Sequence, residues 1–113
     1  MWIFTETGFV SAVRKNDNPD VITARSRDRE SLEPLAAMAG VEIAQSPYGD
    51  YPYRAFVPPK LFVEWLSLVG ESIDYDNFKS HIAHTKGYDY AHELSRVWSV
   101  MLDTEDADAR ITQ

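Results

Sequence analysis

Phe9-Val-Ser-Ala-Val-Arg-Lys15, Asn16-Asp-Asn-Pro-Asp20 and Val21-Ile-Thr-Ala-Arg-Ser-Arg27 follow one another in the chain, and their reading decides the fold. Two short β-compatible runs flank five residues that all favour turns, so the pattern predicts an antiparallel hairpin. Alternation along the second run places Ile22, Ala24 and Ser26 on one, buried face. Thr23, Arg25 and Arg27 fall on the other, solvated face.

Working outward, Asp28 is placed to cap a helix in which Leu32, Leu35, Ala36 and Ala39 recur at helical spacing up to Gly40. Val41 to Ser46 reads as a third strand, Pro47-Tyr48-Gly49-Asp50 as a turn and Tyr51 to Val57 as a fourth strand, with Pro52 favouring an edge or an irregular start. Pro58-Pro59 then introduces a helix with a broad apolar face, Leu61, Phe62, Trp65, Leu66, Leu68 and Val69, ending near Gly70. Asp74 is a candidate cap for a short helix containing Phe78 and Ile82 and closed by Gly87. A last helix carries Tyr90, Leu94, Val97, Trp98 and Met101 on one face. The three tryptophans sit in apolar contexts and are expected in the core.

These elements assemble as α+β. A split β-α-β-β-α unit with a right-handed crossover inserts strand four between strands two and three. The expectation is a four-stranded antiparallel sheet in the order 1-2-4-3, a permuted ferredoxin-like arrangement with helices on one face and an extra C-terminal helical pair. Residues 1–102 then form one domain, and 103–113 an acidic, frayed tail with four acids in the six residues from Asp103 to Asp108.

Composition narrows function. The chain has 113 residues, 44% hydrophobic and 26% charged, as in ordinary globular domains. It has no cysteine, which removes disulfides, thiol catalysis and thiolate metal sites. The net charge of −7 disfavours general binding to phosphate backbones. That charge is uneven: residues 1–60 carry 7 basic and 8 acidic side chains, and residues 61–113 carry 4 and 10. Met1-Trp-Ile-Phe is interrupted by Thr5, Glu6 and Thr7, unlike a signal peptide, and Leu61 to Val69 is under half a membrane span. A cytoplasmic protein with no membrane association is expected.

Five segments stand out as distinctive: Met1-Trp-Ile-Phe-Thr-Glu-Thr-Gly-Phe-Val-Ser, Ala24-Arg-Ser-Arg, Asp50-Tyr-Pro-Tyr-Arg, Ile73-Asp-Tyr-Asp-Asn-Phe-Lys and Arg96-Val-Trp. In this order they resemble a family of small bacterial, plasmid and phage proteins of about this length that has no assigned activity. The resemblance implies an accessory role, such as modulating a host or defence system, and implies no cofactor.

Three groups of residues are candidates for chemistry. Arg25, Arg27 and Arg54 with Tyr51 and Tyr53 bring guanidinium groups and aromatics onto neighbouring strands, a combination suited to a protein hot spot or to base stacking. Alternation places Tyr51 and Tyr53 on one side and Arg54 on the other. Asp74-Tyr75-Asp76-Asn77-Phe78-Lys79 reads either as a carboxylate pair beside a lysine or as a helix start, in which Asp74 caps and Asn77 has no assigned role. His81 and His84, with His92 in the next helix, are the ligands available to a metal, but the spacing lacks the zinc-protease pattern and no metal or other cofactor is assigned. Thr5, Thr7, Gly8 and Ser11 form a polar cluster without the register of a phosphate loop. The favoured reading is a non-catalytic interaction protein with a protein partner. The alternatives are a small metal- or ligand-dependent enzyme using the Asp/His residues of the helical half, and nucleotide or single-stranded nucleic-acid recognition on the Tyr/Arg face. Oligomeric state is left open.

Overall fold

Asn16 and Asp17 form the tight turn of the decisive hairpin, and the second strand begins closer to it, at Asn18, than the turn residues suggest. In the computed structural model, which describes residues 1–107, the first strand runs Gly8–Lys15 (β2) and the second Asn18–Ser26 (β3). They pair antiparallel with Ser11 opposite Arg25 and Ala12 opposite Ala24, and the register shifts between Val13 and Lys15. The chain begins with a further strand, Trp2–Thr5 (β1), folded back on β2 through Glu6 and Thr7. The remaining elements are a 3-10 turn at Glu30–Leu32, α1 (Glu33–Ala39), β4 (Ala44–Gln45), β5 (Tyr53–Val57), α2 (Pro59–Glu71), α3 (Phe78–Lys86) and α4 (Tyr88–Leu102).

The fold is α+β with one open antiparallel sheet in the order β1-β2-β3-β5-β4. It has five strands where four were expected. The addition is β1, whose four residues alternate Trp2 and Phe4 with Ile3 and Thr5 but are too few to stand out as a strand. The Thr5–Gly8 cluster is the hairpin turn that holds it. The Thr5 hydroxyl lies 3.0 Å from that of Thr7, accepts from the Thr7 N–H and donates to Gly8 O. β4 is shorter than the expected 41–46 run. Val41 and Ile43 pack against the core from the crossover, and only Ala44 and Gln45 pair before the Ser46-Pro47 turn. The two sheet edges thus differ, with a four-residue apolar strand at one end and a two-residue strand at the other.

One sheet face carries the core. Val10, Ala12, Ala24, Ala55 and Val57 are buried there with Leu32 and Leu35 beside α1 and Phe62 and Trp65 from α2. The alanines let the helices approach closely, while Leu, Phe and Trp supply most of the apolar area removed from water. Asp28 Oδ1 accepts from the Ser31 N–H at 2.8 Å and starts the 3-10 turn, as its capping character implied. Gly40, at φ +68°, ends α1 in the left-handed region, and the Val41 N–H donates to Ala36 O. Pro59 occupies the first turn of α2, where its missing N–H costs nothing.

The described residues fall into two compact units, Met1 to Asp74 and Tyr75 onward. The second is a helical hairpin with a small core of Ile82, Ala91 and Leu94, flanked by Phe78, Ala83 and Tyr90. Asn77, not Asp74, caps α3. Its side chain accepts from the Ser80 N–H at 2.9 Å, and Asp74 and Asp76 lie ahead of the helix. The α4 face also departs from expectation, because Val97, Trp98 and Met101 are exposed. α3 has 9 residues and α4 has 15, so α4 outruns its neighbour by about 9 Å at the usual rise per residue. Of the three tryptophans, only Trp65 is core, and Trp2 and Trp98 are 71% and 59% exposed. Within the expected tail, 104–107 are helical and exposed, and 108–113 lie outside the described residues. No helix among the described residues is long and apolar enough to cross a membrane.

Candidate binding face on the open side of the sheet

The side of the sheet opposite α1 and α2 is built from the alternate residues of each strand: Trp2 and Phe4, Phe9, Ser11 and Val13, Thr23 and Arg25, Arg54 and Phe56. Arg25 stands across from Ser11 on one neighbour and from Arg54 on the other. Its Nη2 donates to Ser11 Oγ at 2.8 Å, and its guanidinium carbon lies 4.7 Å from the Tyr51 ring centroid. Arg27, just past the end of β3, places its own guanidinium carbon 4.4 Å from the same centroid and donates to the Asp50 carbonyl. Arg54 donates to Tyr51 O at 3.1 Å and lies 3.9 Å from the Asp50 carboxylate. Three guanidinium groups therefore converge on the Asp50–Tyr51 segment. The cost of gathering like charges is offset by the ring's negative face, the carbonyls and one carboxylate.

Tyr51 itself is 6% exposed. It precedes β5, and the bend at Pro52 breaks the alternation that would have tied it to Tyr53. The sequence-derived facing is therefore reversed. Tyr53 packs against the core, while Arg54 joins Arg25 and Tyr51 on the open side.

Beside this basic and aromatic patch, the open face is apolar. Phe4 and Phe9 have ring centroids 4.8 Å apart, and Trp2 meets Phe9 edge-on at 6.3 Å. Phe56 is also exposed. The face is not uniformly wet as alternation implied. Ser11 and Thr23 are buried, because their short side chains lie between larger neighbours, Trp2 and Arg25 for one and Val13 and Phe56 for the other. Thr23 Oγ1 and Arg25 Nε are buried without a hydrogen-bond partner, an energetic cost that ordinary sheet faces avoid. Reading composition alone missed the Trp2, Phe4 and Phe9 contribution. Its signal was the two-residue alternation across Met1 to Thr5.

The other candidates lie in or next to the helical hairpin. Tyr75 stacks on His81 at 4.5 Å and meets Phe78 at 5.7 Å. Lys79 Nζ lies 5.1 Å from the Trp98 ring centroid. Asn77 and Lys79 line a shallow groove with Ser80, Asp89, His92 and Ser95. His84 is in the last turn of α3, and His92 is exposed on α4. Among the described residues, no three His, Asp or Glu side chains are gathered so as to hold a metal ion.

Comparison with family models, with curated proteins and with solved structures found no match to this chain.

Proposed function

We propose that this protein is a non-catalytic interaction module that binds a protein partner through the open face of its sheet. The observation that carries this reading is the stacking of Arg25 and Arg27 over Tyr51 next to the exposed Trp2 and Phe4 rings, which pack on the half-buried Phe9. Trp, Tyr and Arg dominate the energetics of protein interfaces: Trp and Tyr bury large areas while losing few rotamers, and Arg adds a planar array of donors. The buried Tyr51 ring holds the Arg25 and Arg27 guanidinium groups in place, so less ordering entropy of those groups remains to oppose association. Charge argues for a protein over a nucleic acid: the chain is −7 overall, and Arg27 and Arg54 already serve the Asp50–Tyr51 segment. The resemblance to mobile-element proteins supports an accessory role, in which the bound partner belongs to a host or defence system.

Affinity capture with three baits tests this reading: the wild type, Arg27→Glu and Phe9→Glu. The expected outcome is a specific protein retained by the wild type and reduced at least about tenfold by each substitution, since each removes a central contact. Equal recovery by all three baits would overturn it. So would recovery that disappears on nuclease treatment.

A further inference from the structure

β1 ends the sheet on one side, and its backbone chemistry restricts what fits beside it. Its ladder pairs Trp2 with Ser11, Ile3 with Val10, Phe4 with Phe9 and Thr5 with Gly8. One position earlier, Met1 and Ala12 exchange both backbone bonds, each at 2.8 Å. Antiparallel ladders alternate, so Ile3 and Thr5 likewise turn their N–H and C=O groups toward β2. Trp2 and Phe4 then direct theirs outward. Four backbone groups line this edge, and no other described strand pairs with it. Exposed edges are ordinarily guarded by lysine, proline, a bulge or extreme shortness. Trp-Ile-Phe-Thr has no charge, no proline and an unbroken register.

A second copy of the same strand satisfies this edge by two-fold symmetry. Outward-facing residues must oppose outward-facing residues, which allows registers centred on Trp2, Ile3 or Phe4. The Trp2 and Phe4 registers each pair one residue with itself and leave the other opposite a position outside β1. Centring on Ile3 sets Trp2 opposite the partner's Phe4, and Phe4 opposite the partner's Trp2, so that all four groups on each copy are used. Directly opposed residues share a sheet face. Trp2 and Phe4 therefore meet the partner's rings on the open side, where Phe9 already packs against both. Ile3 meets the partner's Ile3 on the side of the helices. Trp2, which is 71% exposed and meets Phe9 edge-on, gains a second aromatic neighbour.

We propose that the chain self-associates through β1 as a two-fold antiparallel pair in the Ile3-centred register, joining two sheets into one of ten strands. The inference rests on the edge and not on the partner-binding reading, so either can fail alone. Four hydrogen bonds and two aromatic pairs make a small interface, which places the affinity in roughly the micromolar range.

Sedimentation equilibrium of untagged protein from about 1 µM to about 1 mM, a span chosen to bracket that affinity, is the test. The expected mass rises from 12.9 kDa toward twice that value. Trp2→Pro removes an outward N–H together with the indole ring, leaves the β1–β2 ladder bonds of Met1, Ile3 and Thr5 intact, and weakens association at least about tenfold. Phe4→Lys supplies the missing edge charge and does the same, with unchanged circular dichroism. In the wild type, amide exchange at Trp2 and Phe4 slows as concentration rises. A monomer throughout the range, or both variants associating like the wild type, would overturn the proposal.

Discussion

Ser31 lies tight against Gly8, although the two are far apart in sequence. A Cβ built on Gly8 would stand 2.0 Å from Ser31 Oγ and 3.1 Å from its Cα, and φ at Gly8 is +142°. The Ser31 hydroxyl accepts from the Phe9 N–H at 3.2 Å, so the 3-10 turn is pinned to the start of β2. Gly8→Ala is expected to destabilise by about 2–4 kcal/mol, through backbone strain and a clash that side-chain rotation cannot relieve. Chemical denaturation measures it. Ser31→Ala, which loses the hydroxyl's bond with the Phe9 N–H without a clash, should cost less. At the next helix start, Asn77→Ala should cost about 1 kcal/mol of α3 stability and Asp74→Ala close to none. The reverse order in thermal melts would show that Asp74 is the cap. The residue level is also where sequence reading was weakest. Asp74, Asp76 and Asn77 are all able to cap, and only the backbone conformation selects Asn77, at φ −139° and ψ 118°. Tyr51 presented the same difficulty: one bend at Pro52 cancels a parity argument that holds everywhere within β3.

Elements were more legible than residues, because their signals are summed over many positions. The β2–β3 hairpin, the α1 helix ending at Gly40 and the α2 helix opening on Pro59 all follow from turn chemistry and periodicity repeated over seven residues or more. β1 and β4 escaped because four and two residues carry too little pattern, and pairing partners decide them. α4 shows the opposite error: its apolar face is genuine, but periodicity cannot say whether a neighbour is long enough to cover it. Ile82 is fully buried between α3 and α4, whereas Trp98 is 59% exposed where the overhang starts, with Lys79 of α3 reaching its ring. Ile82→Ala should therefore lower stability by about 2–4 kcal/mol, and Trp98→Ala by under about 1 kcal/mol. Helix content followed by circular dichroism during urea titration would separate the two. A large Trp98 effect would mean that the overhang is covered in solution.

For the molecule as a whole, burial divides the chain at Asp74, whereas the acidity sets in earlier, from about residue 61. Residues 1–60 are near neutral and hold most of the sheet and its core, while the acidic remainder includes the small helical unit. A two-helix hairpin with three buried apolar residues cannot match the stability of a five-stranded sheet covered by two helices. Native-state hydrogen exchange should accordingly find the slowest amides in β2, β3 and β5, with α3 and α4 opening at much lower free energy. Uniform protection across both units would contradict this. The unlike ends of the sheet have a consequence for how copies of the molecule add up. β4 offers only Ala44 and Gln45 for pairing, with prolines at 47 and 52 nearby, and so has almost nothing to extend. Strand addition therefore has a valence of one, not two. A unit with valence one is saturated by a single partner, so the same apolar edge that would seed a fibre on a sheet with two open ends has, here, a largest possible product.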